Sequence, residues 1–244
     1  MPQAVEQLLQ HPAIWRVGQV SVATRTGIGS GFAQLDRELP EGGWPAGALT
    51  ELLCDDQGIG EISLLSPALR RLTHEGRGIA LIAPTHLPFS RAWEARGIRL
   101  EHLLIVEAQG GDLQWSAEQA LRSGSCGMVV VWGGGMTFDY GALRRLQLAA
   151  ETGGTACVLY RPLRTQASPS AAPLRIALAS GAGELLATIV KRRGATKSEA
   201  IRLGVFPAHW NQQASYKNPP PESHATASPV PAARAPRLLR SVSN

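Results

Sequence analysis

A doubly wound, mainly parallel α/β sheet carrying an antiparallel extension is the fold class this sequence predicts. Three observations point to it. Between residues 48 and 161, short apolar runs alternate with helix-period segments at intervals that suit βαβ units. The run "GMVVVW" (127–132) is β-branched without polar alternation, as expected of a strand covered on both faces in a parallel sheet. After Arg161 the alternation stops, and "LRIALAS" and "ELLATIVKRRG", separated by "GAG", read as an antiparallel pair extending one edge.

The elements follow in order. "ALTELLC" (48–54) is the first strand, and "EISLLSPALRRLTHEG" a helix with Gly76 at its C-terminal stop. "GIALIA" (78–83) is the second strand, "PFSRAWEARG" a short helix closed by Gly97, and "HLLIVEA" (102–108) the third strand. In "WSAEQALRSG", Ser116 followed three residues later by Gln119 has the form of a capping box, and Gly124 ends that helix. "GMVVVW" is the fourth strand. "DYGALRRLQLAAETGG" is a helix with Asp139 at its start and Gly153 past its end, and "TACVLYR" (155–161) is the fifth strand. The stretch "GIGSGFAQLDRELPEGGWPAGALTEL" reads as a loop and a short amphipathic turn leading into the first strand.

Composition bounds the rest. A chain of 244 residues with 44% hydrophobic side chains can bury one substantial core. Cys54, Cys126 and Cys157 form no C-x-x-C pair and sit in apolar surroundings, so neither a disulfide framework nor a zinc site is expected. The N-terminus lacks the pattern of a signal peptide and no long apolar run occurs, which predicts a soluble cytoplasmic protein. Charge is uneven. Residues 1–190 hold fifteen arginines against seventeen acids, whereas residues 191–244 hold nine basic residues against Glu199 and Glu222. From about Lys217 the chain is rich in Pro, Ala and Ser, a composition that predicts disorder. The expected organisation is a lead-in (1–47), an α/β core with an edge hairpin (48–205) and a basic, largely disordered tail (206–244).

The segment "TELLCDDQGIGEISLL" (50–65) has a strand, a glycine loop and a helix start, the layout of a phosphate loop. Such a loop needs a lysine after its last glycine to reach the β and γ phosphates. Here that slot is Glu61. Gly58 and Gly60 also fit a tight strand-to-helix turn that needs no ligand, and Glu61 suits the helix dipole whatever its role. Trp132 and the glycines after it end the fourth strand, where open α/β sheets bind ligands, although a plain loop is equally consistent.

"GGWPAGALTELL", preceded by "SGFAQLD" and followed by "HEGRGIALIAPTH", resembles the order of elements in the RecA family. Together with "APTHLPFSRAWEARGIRLEHLLIVEA", "SAEQALRSGSCGMVVVWGG" and "RPL", it more closely resembles the ImuA family of translesion-synthesis-associated proteins, RecA-like relatives of SulA. The likeness covers roughly residues 12–205, and Gly42 to Pro45 is its most specific piece. It implies a RecA-like fold. It also places the lysine, water-activating glutamate and magnesium-binding aspartate of a RecA-type ATPase at Glu61, Thr85 and Trp132, none of which supplies that chemistry. A carboxylate about 4 Å from a phosphate charge costs on the order of 4 kcal/mol near a protein surface, and Asp55 and Asp56 add to it. The expectation is therefore a degenerate phosphate loop with no catalytic residue, cofactor or metal.

By the same resemblance, the chain would be a non-catalytic accessory in SOS-induced translesion DNA synthesis, a mutasome component. Its partners would be ImuB and an error-prone polymerase, with RecA and self-association as further candidates. The alternative is a SulA-type inhibitor of the tubulin-like division GTPase, since SulA-like chains share stretches of the "LLSPALRRL" and "ALRSGSCGMVVVW" type. A working ATPase would need a lysine from elsewhere. Trp44, in the "GGWP" turn, is a candidate exposed anchor for a partner, although tryptophans more often pack. Leu238 and Leu239, flanked by arginines, resemble a short partner-binding peptide. Lys191, Arg192 and Arg193 are the candidate contacts for nucleic-acid phosphates. His74, His86 and His102 have no Ser, Cys or Asp partner at a telling spacing.

Overall fold

The computed structural model describes residues 27–205, apart from 56–57, 87–88, 134–135, 182 and 195–198. The tail 206–244 lies outside the described residues, so the expectations of tail disorder and of a partner peptide at Leu238 and Leu239 fall there too. Eight strands form one mixed sheet: β1 (Leu49–Leu53), β2 (Gly78–Ile82), β3 (Leu103–Val106), β4 (Cys126–Trp132), β5 (Ala156–Arg161), β6 (Leu174–Gly181), β7 (Glu184–Lys191) and β8 (Ile201–Leu203). Their order is β3-β2-β4-β5-β1-β6-β7-β8. Strands β1 to β6 run parallel, and β7 and β8 add antiparallel. The parallel sheet and the edge hairpin match the expected fold class. Strand β8 was not anticipated, because "IRL" is too short to show a period.

Among the described residues, five helices accompany the strands: α1 (Ala33–Asp36), α2 (Glu61–His74), α3 (Ser90–Ala95), α4 (Gly110–Arg122) and α5 (Tyr140–Gly153). Alternation along β4 explains the two layers. Met128 and Val130 join a core with Leu64, Leu65, Leu69 and Leu72 of α2, while Val129 and Val131 join a second core with Leu143 and Leu146 of α5. A strand whose successive side chains enter opposite cores has no polar face to show, hence the unbroken apolar run. Helix α5 begins as expected: the Asp139 carboxylate accepts the Ala142 N–H at 2.6 Å. The capping box at Ser116 does not form. Helix α4 starts earlier, at Gly110 with Gln109 as its cap, and Ser116 lies inside it. Cys126 and Cys157 are buried and all three cysteines are free thiols; burial drives the Cys157 thiol well above its ordinary value. No helix among the described residues is long and apolar enough to cross a membrane.

The centre of the sheet contains a charged cluster. Glu51 on β1 is completely buried. Its carboxylate accepts from Arg161 of β5 at 2.8 Å, from Arg175 of β6 at 2.5 Å and from the Ser170 hydroxyl at 2.9 Å. Both guanidinium groups make further hydrogen bonds. Arg161 donates to the Phe138 carbonyl, and Arg175 donates to the carbonyls of Thr165, Gln166 and Ser168 in the 3-10 segment Leu163–Ala167 and just after it. A buried ion pair is tolerated only when such partners compensate desolvation, and removing one member strands the others. Glu51→Ala should therefore lower unfolding free energy by about 3–5 kcal/mol, read as a shift in the urea midpoint. An unchanged midpoint would mean that water reaches the two arginines.

Candidate functional site

The expected phosphate loop lies at the C-terminal end of β1, where open α/β sheets bind ligands. Gly58 and Gly60 both adopt left-handed φ, 74° and 96°, and Gly60 caps α2. A side chain at Gly60 would be strained, so this turn is one that glycine permits. The Gly58 N–H donates to Glu61 Oε1 at 3.2 Å, and Glu61 Oε2 is buried without a hydrogen-bond partner among the described residues. A helix N-terminus favours an anion. Here the chain supplies its own carboxylate at the first turn of α2. Asp55 draws the other side of the loop in, accepting the Leu163 N–H at 2.9 Å.

A strut supports this helix start from beneath. The Tyr160 hydroxyl donates to the Glu61 carbonyl at 2.8 Å, and its ring stacks on Trp132 with centroids 5.4 Å apart. Burial first, then the charges of Glu61 and Cys54, push the Tyr160 hydroxyl well above the usual tyrosine value. Trp132, at the end of β4, thus serves as packing for Tyr160. Thr85 is exposed in the loop after β2, beyond Ala83, which holds an unusual φ of 50°. Of the three positions read as lost ATPase residues, the fold joins Glu61 and Trp132 through Tyr160 and leaves Thr85 at the surface. Among the described residues no group of His, Cys, Asp or Glu is arranged to hold a metal ion.

The described part of the lead-in, from Gly27 onward, is built into the domain. The Ile28 N–H donates to the Trp44 carbonyl at 2.8 Å and Trp44 N–H returns to the Ile28 carbonyl at 2.7 Å. Gly43 permits this approach, because a Cβ there would lie 2.5 Å from the Ile28 oxygen. Trp44 itself is fully buried. The expectation of an exposed anchor is thereby corrected: the short bridge turns the indole inward beneath α2, where it has no surface to offer. At the N-terminal end of β1, opposite the glycine loop, a cleft of about 330 Å³ opens between Glu41, Pro45, Ala48, Glu151 and Arg193.

The candidate nucleic-acid residues divide. Lys191 donates to the Ser170 carbonyl at 2.8 Å, and Arg192 pairs with the Glu38 carboxylate at 2.9 Å while also meeting the Glu38 carbonyl. These two fasten the end of β7 to the domain. Arg193 is exposed and lines the cleft. Sequence reasoning missed Glu51, Tyr160, Arg161 and Arg175. Their signal was present: "LTELL", "VLYR" and "LRIAL" each place one charged residue in a largely apolar strand.

No family model matches the chain. A curated relative, the cell division inhibitor SulA of Edwardsiella piscicida, is 32% identical over 113 residues, which are 45% of this chain. Part of this chain is similar to SulA. The match spans 65% of the relative's own length. A crystal structure of SulA from Pseudomonas aeruginosa is 26% identical over 46% of this chain and 97% of that one, with a TM-score of 0.39, too loose a superposition to argue from. The finer likeness to the ImuA family rests on the residues quoted for it.

The strut makes a pH prediction. Tyr160 is held protonated in the fold, so its contribution is complete below the unfolded tyrosine value near 10 and is lost as pH rises beyond it. Tyr160→Phe should cost about 1 kcal/mol at neutral pH and make the alkaline loss of stability shallower than in the parent. Urea titrations at several pH values check both, and parallel pH profiles for the two proteins would refute the strut.

Proposed function

We propose that this chain is a catalytically silent, SulA-related protein of the DNA-damage response that works in the cytoplasm by binding other proteins. The observation that carries the reading is the Glu61 carboxylate at the first turn of α2, taking the Gly58 amide that a phosphate would otherwise use. Phosphoryl transfer depends on neutralising developing negative charge, and a glycine loop closed by its own acid opposes it. Restoring one basic residue does not supply the missing water-activating and magnesium-binding groups. Purified protein and its Glu61→Lys variant should both fail to turn over ATP in the presence of magnesium. Turnover by either would overturn the silent reading.

Similarity to a named cell division inhibitor supports capture of the tubulin-like division GTPase during the SOS response as the finer function. A second reading, an accessory of translesion synthesis working with ImuB and an error-prone polymerase, is favoured by a separate observation. The "GGWP" lead-in is built into the fold and walls the cleft at the N-terminal end of β1. A match of 113 residues also falls short of the span 27–205. Contact with DNA would then fall to Arg193 and the basic tail, because Lys191 and Arg192 already hold chain carbonyls. Overexpression and deletion separate the readings. An inhibitor gives filamentous cells on overexpression and binds the division GTPase directly. An accessory leaves division normal, and its deletion lowers damage-induced mutagenesis.

A further inference from the structure

Strand β3 forms one end of the sheet, and among the described residues no strand pairs with its outer side. The Val106 carbonyl accepts the Ala83 N–H on the β2 side. Alternation then sends the N–H and C=O of Ile105, together with the Leu103 C=O, outward; the Leu103 N–H is taken by the Leu100 carbonyl. The register places Leu104 beside Ala80 on the α4 face and Ile105 beside Leu81 on the α2 face, and they are 56% and 40% exposed. Natural sheets guard an edge with lysine, proline, a bulge or a covering segment. "LLIV" has none of these within it. Its guards are the exposed carboxylates Glu101 and Glu107 at its two ends.

Those carboxylates select the occupant. Two copies of β3 paired antiparallel would set Glu101 against Glu107 at both ends, and like charges facing each other across strands are unfavourable. The edge therefore disfavours itself and suits an apolar strand with basic flanks. The end at Glu107 is the more acidic, since Asp112 follows it, while exposed Arg99 lies two residues before Glu101. Within this chain, "RAPRLLR" fits. Arg234 and Arg240 stand six residues apart, as Glu101 and Glu107 do, and Leu238 and Leu239 would fall on opposite faces, as Leu104 and Ile105 do. In a parallel pairing that sets Arg234 beside Glu101 and Arg240 beside Glu107, residues 237 and 239 turn their N–H to the edge, and Pro236 is accommodated with its nitrogen side outward.

Reach and concentration decide between the same molecule and another. The 28 residues 206–233 extend to about 90 Å, whereas the sheet from β8 to β3 is about 34 Å across. A tethered segment is present at an effective concentration on the order of millimolar, above any ordinary protein concentration. We propose that residues Arg234–Val242 add to the outer edge of β3 in the same molecule and cover it, so that a strand-donating partner must displace them. This stands independently of whether the partner belongs to division or to DNA synthesis.

Hydrogen exchange at the Ile105 amide tests the proposal in the full chain. Exchange should be about tenfold or more slower in the parent than in Leu238→Lys/Leu239→Lys, independent of protein concentration, with β4 amides unchanged. Adding a free peptide of residues 232–244 to that variant should restore slow exchange. The pair Glu101→Lys/Glu107→Lys should lose the slowing, and combining it with Arg234→Glu/Arg240→Glu should recover it. Equal exchange in parent and leucine variant would overturn the proposal. So would slowing that grows with protein concentration, which would place the arm on another molecule, or slowing that survives charge reversal of the edge.

Discussion

The buried carboxylate of Glu51 organises the sheet. It sits on the central strand and is held from one side by Arg161 on β5 and from the other by Arg175 on β6. Three neighbouring strands are therefore joined by side chains as well as by the backbone ladder. Arg175 also gathers the carbonyls of residues 165, 166 and 168. The connection from β5 to β6 is thus anchored where its composition alone would leave it loose. Strand β6 in turn templates β7 and β8. Buried charges rarely add stability over an apolar equivalent, but they penalise every arrangement that leaves one unpaired. Such a penalty specifies which strand lies beside β1.

The two ends of β1 have opposite characters. At the C-terminal end the chain closes on itself: Asp55 takes an amide after β5, Glu61 takes the Gly58 amide, and Tyr160, backed by Trp132, holds the first carbonyl of α2. The N-terminal end stays open as a cleft walled by the lead-in and α5. The end where the sequence placed a phosphate loop is therefore closed by the chain's own acid. At one end of the sheet, β3 exposes Leu104 and Ile105 between the carboxylates of Glu101 and Glu107.

Most elements were legible because they depend on local rules. The β-branched run at 127–132 had to be a covered strand, Asp139 had to cap a helix, and the change of pattern after Arg161 had to mark a different kind of strand pairing. The misses share a cause. A short apolar run reads the same whether it ends up at the middle or the edge of a sheet, so "LLIV" carried no sign of its exposure. Ser116 and Gln119 have the spacing of a capping box, yet residues 110–114 already find a helical start upstream. Trp44 looked available in a glycine-proline turn until the Ile28 bridge turned it inward.

The sequence by itself determined the alternation of strands and helices, the glycine turn before α2 and the absence of a lysine from it, because each is set by residues within a few positions of one another. Tertiary structure alone decided the strand order, the burial of Trp44, the meeting of Glu51 with arginines more than a hundred residues away and the placement of β3 at one end of the described sheet. The physical reason is the same in every case. Periodicity and capping act through neighbouring backbone groups, whereas the partner of a buried charge and the neighbour of a strand are chosen by whichever distant segment best offsets the loss of water.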